Sequence, residues 1–145
     1  MHPELRRLRR LQRLEQVRAI AKQAAAQDAA LAESTLHQLR GLAERTRSLA
    51  GGYDVRALAQ DGLALRQLGS FVDGLHGISA STDRDAMQAQ ALADRKQHEL
   101  AQAERARAAV ETRAAGQART LAQRFAEPML GARRAVGPAI GTALE

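Results

Sequence analysis

Large apolar side chains mark the first fifty residues at Leu5, Leu8, Leu11, Leu14, Val17, Ile20, Leu31, Leu36, Leu39, Leu42 and Leu49. Ile20, Leu31, Leu42 and Tyr53 stand eleven apart, and Val17, Leu39 and Ala50 belong to a neighbouring row of the same period. An eleven-residue repeat corresponds to about 3.67 residues per turn, which predicts a nearly straight helix with its stripe held on one face. Ala21, Ala24, Ala25, Ala29 and Ala32 fill the middle of that stripe and would admit a close partner helix. Gly51 and Gly52 read as its C-terminal stop.

Asp54 is placed to cap a second helix over about 55–77. There Leu58, Leu65, Leu68, Val72 and Leu75 follow coiled-coil spacing, interrupted by Asp61, while Phe71 and Ile78 widen the face. Gly62, Gly69, Gly74 and Gly77 each cost roughly 1 kcal/mol relative to alanine in a helix, so this segment is expected to be the least rigid. SASTDRD at 79–85 reads as a turn, with Ser81, Thr82 or Asp83 capping the next helix. That third helical segment, over about 83–126, repeats at eleven through Leu92, Ala103, Ala114 and Phe125, and again through Val110 and Leu121.

The first and third segments share a period and a length. At 1.5 Å per residue, an arm of ~45 residues reaches about 65–70 Å. Neither arm can stay folded alone on so thin a stripe, because helix stability comes mainly from packing a face. The expected fold class is all-α, two long helices in an antiparallel coiled-coil hairpin with a shorter middle helix near the bend. Residues 1–127 would form one helical domain with arms at about 4–50 and 83–126. Proline and glycine recur from Pro128 onward, so 128–145 is expected to be a flexible tail.

Composition narrows this further. Aromatic residues are 2% of the chain, namely Tyr53, Phe71 and Phe125, and alanine is about a fifth of it. Burying alanine removes little apolar area, which argues against a globule. Between Pro3 and Pro128 lie 124 residues without proline. There is no cysteine, so disulfides and thiolate metal sites are excluded. No apolar run approaches the ~20 residues that span a bilayer. The opening MHPELRRLRRLQRL has arginines but no apolar core of a secretory signal, and its pattern continues into the first helix.

The net charge of +6 is uneven. Residues 1–22 carry Arg6, Arg7, Arg9, Arg10, Arg13, Arg18 and Lys22 against Glu4 and Glu15, a net of +5. This cluster is either a solvated helix face or a binding surface for an acidic partner. Nucleic acid is the less favoured partner, because no set of stacking aromatics accompanies the arginines. An acidic protein surface suits them better than a membrane, since Trp and Phe are missing from the first fifty residues.

Catalytic chemistry is not indicated. His2, His37, His76 and His98 include no pair at helical ligand spacing. His76 follows Asp73 by three and His98 follows Asp94 by four, spacings more common as surface hydrogen bonds. Two lysines and no phosphate-loop pattern leave no nucleotide cradle. The chain is expected to be no enzyme and to use no cofactor or metal. Phe71, Val72, Leu75 and Ile78 remain open to two readings: the hairpin's closing core, or a docking patch on one helical face.

The stretch LRRLRRLQRLEQVRAIAKQAAAQDAALAEST resembles the first arm of the flagellar type III export protein FliJ family and its injectisome counterparts of the YscO type. The resemblance covers about residues 4–127. Family members carry Gln-x3-Leu-x2-Tyr-x3-Tyr late in the first arm and Phe-x3-Leu in the middle helix, used in docking to the export gate. Gln38 and Leu42 match the first pattern, and Phe71 and Leu75 the second. Arg45 and Leu49 stand at the tyrosine positions, Ile78 replaces a small residue, and Thr82 stands where a histidine is often found.

The resemblance implies a soluble coupling or stalk component of a type III export apparatus, cytoplasmic and peripheral at the inner membrane. Its paired arms, with Arg6, Arg7, Arg9, Arg10 and Arg13, would engage an export ATPase hexamer. Gln38, Leu42, Phe71, Leu75 and Ile78 would contact the membrane-embedded gate protein, with export chaperones as further partners. The alternative from another class is a basic coiled-coil protein that binds nucleic acid as an architectural factor.

Overall fold

The computed structural model describes residues 2–56 and 62–134. They form two long helices, α1 (Pro3–Arg56) and α2 (Gly62–Arg134), packed against each other, with no strand among the described residues. By contacts the chain divides into a terminal unit, Met1–Ala21 with Glu104–Glu145, and a middle unit, Lys22–Ala103.

In the middle unit the buried side chains alternate at three and four. On α1 they are Ala29, Ala32, Leu36, Ala43, Thr46 and Ala50, with Leu39 and Tyr53 partly buried in the same series. On α2 they are Val72, Leu75, Ser79, Thr82, Ala86, Ala89 and Ala93, with Leu68 partly buried. Ala32, Leu36, Ala86, Ala89 and Ala93 form one cluster against Leu39. Ala50, Val72 and Leu75 form a second against Tyr53 and Leu68. Ala43, Ala50 and Ala93 are fully enclosed. In the terminal unit Val110, Ala114 and Leu121 are buried and Leu8 and Leu11 partly so. There Glu4 pairs with Arg124.

In the middle unit this is the 3.5-residue period of a coiled coil, not the expected eleven-residue one, whereas Val110 and Leu121 of the expected row are both buried in the terminal unit. Ile20 and Leu31, two markers of the eleven-residue row, are 67% and 68% exposed. The reason is steric. Most layers of the seam are alanine, serine and threonine, with Leu36, Val72 and Leu75 as the large exceptions, so the backbones approach closely and a side chain off that period, such as Leu31, stays outside.

Three expected boundaries also move. Gly51 and Gly52 do not stop α1, which runs to Arg56, so Asp54 lies within it and not at the start of a second helix. Neither glycine adopts a positive φ, and Ala50 and Tyr53 on either side hold the turn against α2. The separate helix expected over 55–77 and the turn over 79–85 are absent, because α2 is continuous from Gly62. Ser79 and Thr82 are buried in the seam, and the Thr82 hydroxyl donates to the Ile78 carbonyl at 2.8 Å. Packing thus overrides the turn-like composition. Finally, α2 passes Pro128 and continues to Arg134. Leu58, Asp61 and the tail beyond 134 lie outside the described residues.

Candidate functional site

The middle unit is polar on one flank of its seam. Arg47 Nη2 donates to Asp83 Oδ1 at 2.9 Å, and Arg40 donates to Gln90 Oε1. Each of these four residues stands one position after a seam residue: Leu39, Thr46, Thr82 and Ala89. With Ala86 and Met87 they line a shallow groove. A step of seven down α1, from Arg47 to Arg40, is matched by a step of seven up α2, from Asp83 to Gln90.

Two residues further along a helix is about 200° round its axis, which carries a side chain to the opposite flank. Leu42 and Leu49 bear that relation to Arg40 and Arg47, and Leu92 bears it to Gln90. Phe71 and Ile78 continue the same seven-residue series on α2, each standing one position before a seam residue, as do Leu42, Leu49 and Leu92. All five are exposed. The flank is therefore apolar, with Arg45 and Asp85 among its leucines.

The proposed gate residues are separated by this geometry. Leu42, Phe71 and Ile78 are 44%, 49% and 53% exposed, and Gln38 is exposed beside them on α1. Leu75 is 8% exposed and packs with Ala50 and Val72, so it is a seam residue unavailable to a docking partner. The four-spacing of Phe71 and Leu75 straddles the seam edge: one side chain faces in and the other lies beside it. Phe71 rests edge-on against Tyr53, ring centroids 5.2 Å apart at 87°. That contact fixes the Phe71 ring as a half-exposed platform. Leu49 was not among the expected gate contacts, though it stands at one of the motif's tyrosine positions. Its seven-residue step from Leu42 was the available signal.

The terminal unit carries the charge. Arg6, Arg7, Arg9, Arg10 and Arg13 are exposed, and they line two adjoining grooves, one with Pro3, Arg6, Arg7 and Arg10 and the other with Arg6, Arg9, Arg10 and Arg13. Residues 104–145 add seven arginines against four carboxylates to the six arginines and two carboxylates of 1–21, a net of +7 for the unit. The middle unit holds nine cations against ten carboxylates, a net of −1. The first 22 residues alone do not reveal this, because the +3 of 104–145 is offset along the chain by the acidic middle. Within the unit, Arg107 Nε is buried without a hydrogen-bond partner among the described residues.

Asp94 and His98, four apart, are each engaged by a glutamine. Asp94 accepts from Gln90 Nε2 at 2.9 Å, and His98 Nε2 lies 3.3 Å from Gln102 Nε2. Among the described residues no three His, Cys, Asp or Glu side chains are grouped to hold a metal. Among them, too, no helix is long and apolar enough to cross a membrane.

The chain matches no protein-family model, no curated protein and no solved structure.

Proposed function

We propose that this protein is a non-enzymatic coupling factor of a flagellar-type protein export apparatus, built as an antiparallel helical hairpin. The opposed seven-residue steps of Arg47–Asp83 and Arg40–Gln90 support opposite helix directions. In this reading the paired arms of the terminal unit engage an export ATPase ring through Arg6, Arg7, Arg9, Arg10 and Arg13. The apolar flank engages the membrane-embedded gate through Gln38, Leu42, Phe71 and Ile78, with Leu75 holding Phe71's helix in place from inside the seam. The protein would work in the cytoplasm, peripheral to the inner membrane, and could meet export chaperones there.

The observation that carries the proposal is the division of binding character. One unit has a net charge of +7 and the other has a net charge of −1 with a row of exposed large apolar groups. Such a division suits two chemically different partners, one acidic and one apolar. The resemblance in Gln38, Leu42, Phe71 and Leu75 supplies the identity of those partners. Binding of the purified chain to an export ATPase and, separately, to the cytoplasmic domain of an export gate tests it. Binding to neither refutes it.

The same +7 supports a second reading, an architectural nucleic-acid-binding protein. A titration of duplex DNA against salt separates the two: micromolar or tighter binding that falls steeply with salt favours nucleic acid.

A further inference from the structure

We infer that the apolar flank of the middle unit pairs with the same flank of a second copy of this chain, giving a four-helix bundle. The large apolar side chains are distributed against what a monomer needs. The seam encloses mainly alanines, while Leu42, Leu49, Phe71, Ile78 and Leu92 stay outside. Half-exposed side chains of this size leave roughly 80–100 Å² each in water, so the five present about 450 Å² on one flank. With the small residues between them, two such flanks bury on the order of 1,000 Å² in all, where specific association begins.

Charge selects the occupant. The register of Arg47–Asp83 and Arg40–Gln90 puts Arg45 of α1 level with Asp85 of α2. Both stand on the apolar flank, and neither forms an ion pair among the described residues. A twofold axis parallel to the helices lays α1 of one copy over α2 of the other at unchanged height. Arg45 then meets the partner's Asp85, and Leu49 meets the partner's Ile78. The other twofold arrangement, with α1 over α1 and the axis at the height of this pair, would oppose two Arg45 side chains and two Asp85 side chains. The flank is thus self-complementary in one orientation and repulsive in the other.

The seven-residue repeat of the flank equals that of the seam, so one register holds along both helices: Leu49 faces the partner's Ile78, and Leu42, seven residues back, lies beside the Arg45–Asp85 pair. The inference does not depend on the export reading. Because Leu42, Phe71 and Ile78 serve both, pairing and gate docking exclude each other.

Sedimentation of the full chain alone, from low micromolar to hundreds of micromolar, tests it. The expected result is a monomer–dimer equilibrium within that range. Leu49→Glu and Ile78→Glu should each weaken it at least about tenfold with helicity unchanged. Arg45→Asp should weaken it, and Arg45→Asp combined with Asp85→Arg should restore it. The chain has no cysteine, so mixing a Leu49→Cys variant with an Ile78→Cys variant should give a disulfide-linked pair faster than either variant alone. A chain that stays monomeric throughout, a dimer indifferent to Leu49→Glu, or preferential linkage of Leu49→Cys to itself overturns the proposal.

Discussion

Arg47 bridges the two helices: its guanidinium donates to Asp83 on α2 at 2.9 Å and to Glu44, three residues back on its own helix, at 3.1 Å. All three side chains are about half exposed or more, at 50%, 48% and 72%. Exposed pairs of this kind contribute about 0.2–1 kcal/mol and are screened by salt. Arg47→Ala should therefore lower stability by less than about 1 kcal/mol in low salt, and by less still in high salt, as measured by urea unfolding. A larger loss would mean that the bridge sets the pairing of the helices.

The seam period can be read out by mutation. Ala93 is fully enclosed, so Ala93→Leu should overpack the alanine layers and cost about 1–3 kcal/mol. Leu31 is mostly exposed, and Leu31→Gln should leave stability within about 0.5 kcal/mol. An eleven-residue seam would invert that order, because Leu31 would then be core. Thermal melts of the two variants decide it.

Gly51 and Gly77 lie within helices at ordinary helical φ, and a Cβ added at either would meet nothing within 4 Å. Replacing each with alanine should raise stability by roughly 0.5–1 kcal/mol, as for other exposed helical glycines. Neither stands on the apolar flank, so neither change should alter self-association. A destabilised Gly51→Ala would show that α1 needs a break there.

Phe71 and Leu75 should separate cleanly. Leu75→Ala removes a buried side chain from the cluster with Ala50 and Val72 and should cost about 2–4 kcal/mol. Phe71→Ala should cost less and retain helicity, while abolishing binding to an export gate domain. Retained gate binding by a folded Phe71→Ala variant would remove Phe71 from the proposed contact.

Replacing Arg6, Arg7, Arg9 and Arg10 with glutamine takes four charges from the terminal unit. Stimulation of an export ATPase should fall, and any binding to duplex DNA should lose up to four units of salt slope. Unchanged stimulation would return these arginines to a solvated helix face.

Helix content was legible because proline is confined to positions 3, 128 and 138 and strong helix formers dominate between the first two. That two long helices pack together was legible from two long amphipathic stretches that could not stand alone. The seam itself was not. A search for large side chains finds Leu31 and Leu42, yet the contact is made where side chains are small, at Ala43, Thr46, Ser79 and Ala93. Ser79 and Thr82 look like turn formers in one dimension and become seam residues once α1 covers them. For the candidate site, Phe71 and Leu75 carry the same apolar signal in the sequence, and only the neighbouring helix distinguishes them.

The Thr46 and Thr82 hydroxyls donate to the Leu42 and Ile78 carbonyls of their own helices, at 2.8 Å each. Their hydrogen-bonding capacity is thus satisfied without a bond across the seam, and the layers around them are alanines of similar size. Layers so alike distinguish weakly between one alignment of α1 on α2 and the alignment two turns along. Choice of register falls instead to the large side chains that interrupt those layers, Leu36 in one cluster and Val72 and Leu75 in the other, with the rim contacts of Arg47 to Asp83 and Tyr53 to Phe71 adding to them. Sliding is thus resisted at a few bulky positions, and the alanine, serine and threonine layers between them contribute little to it.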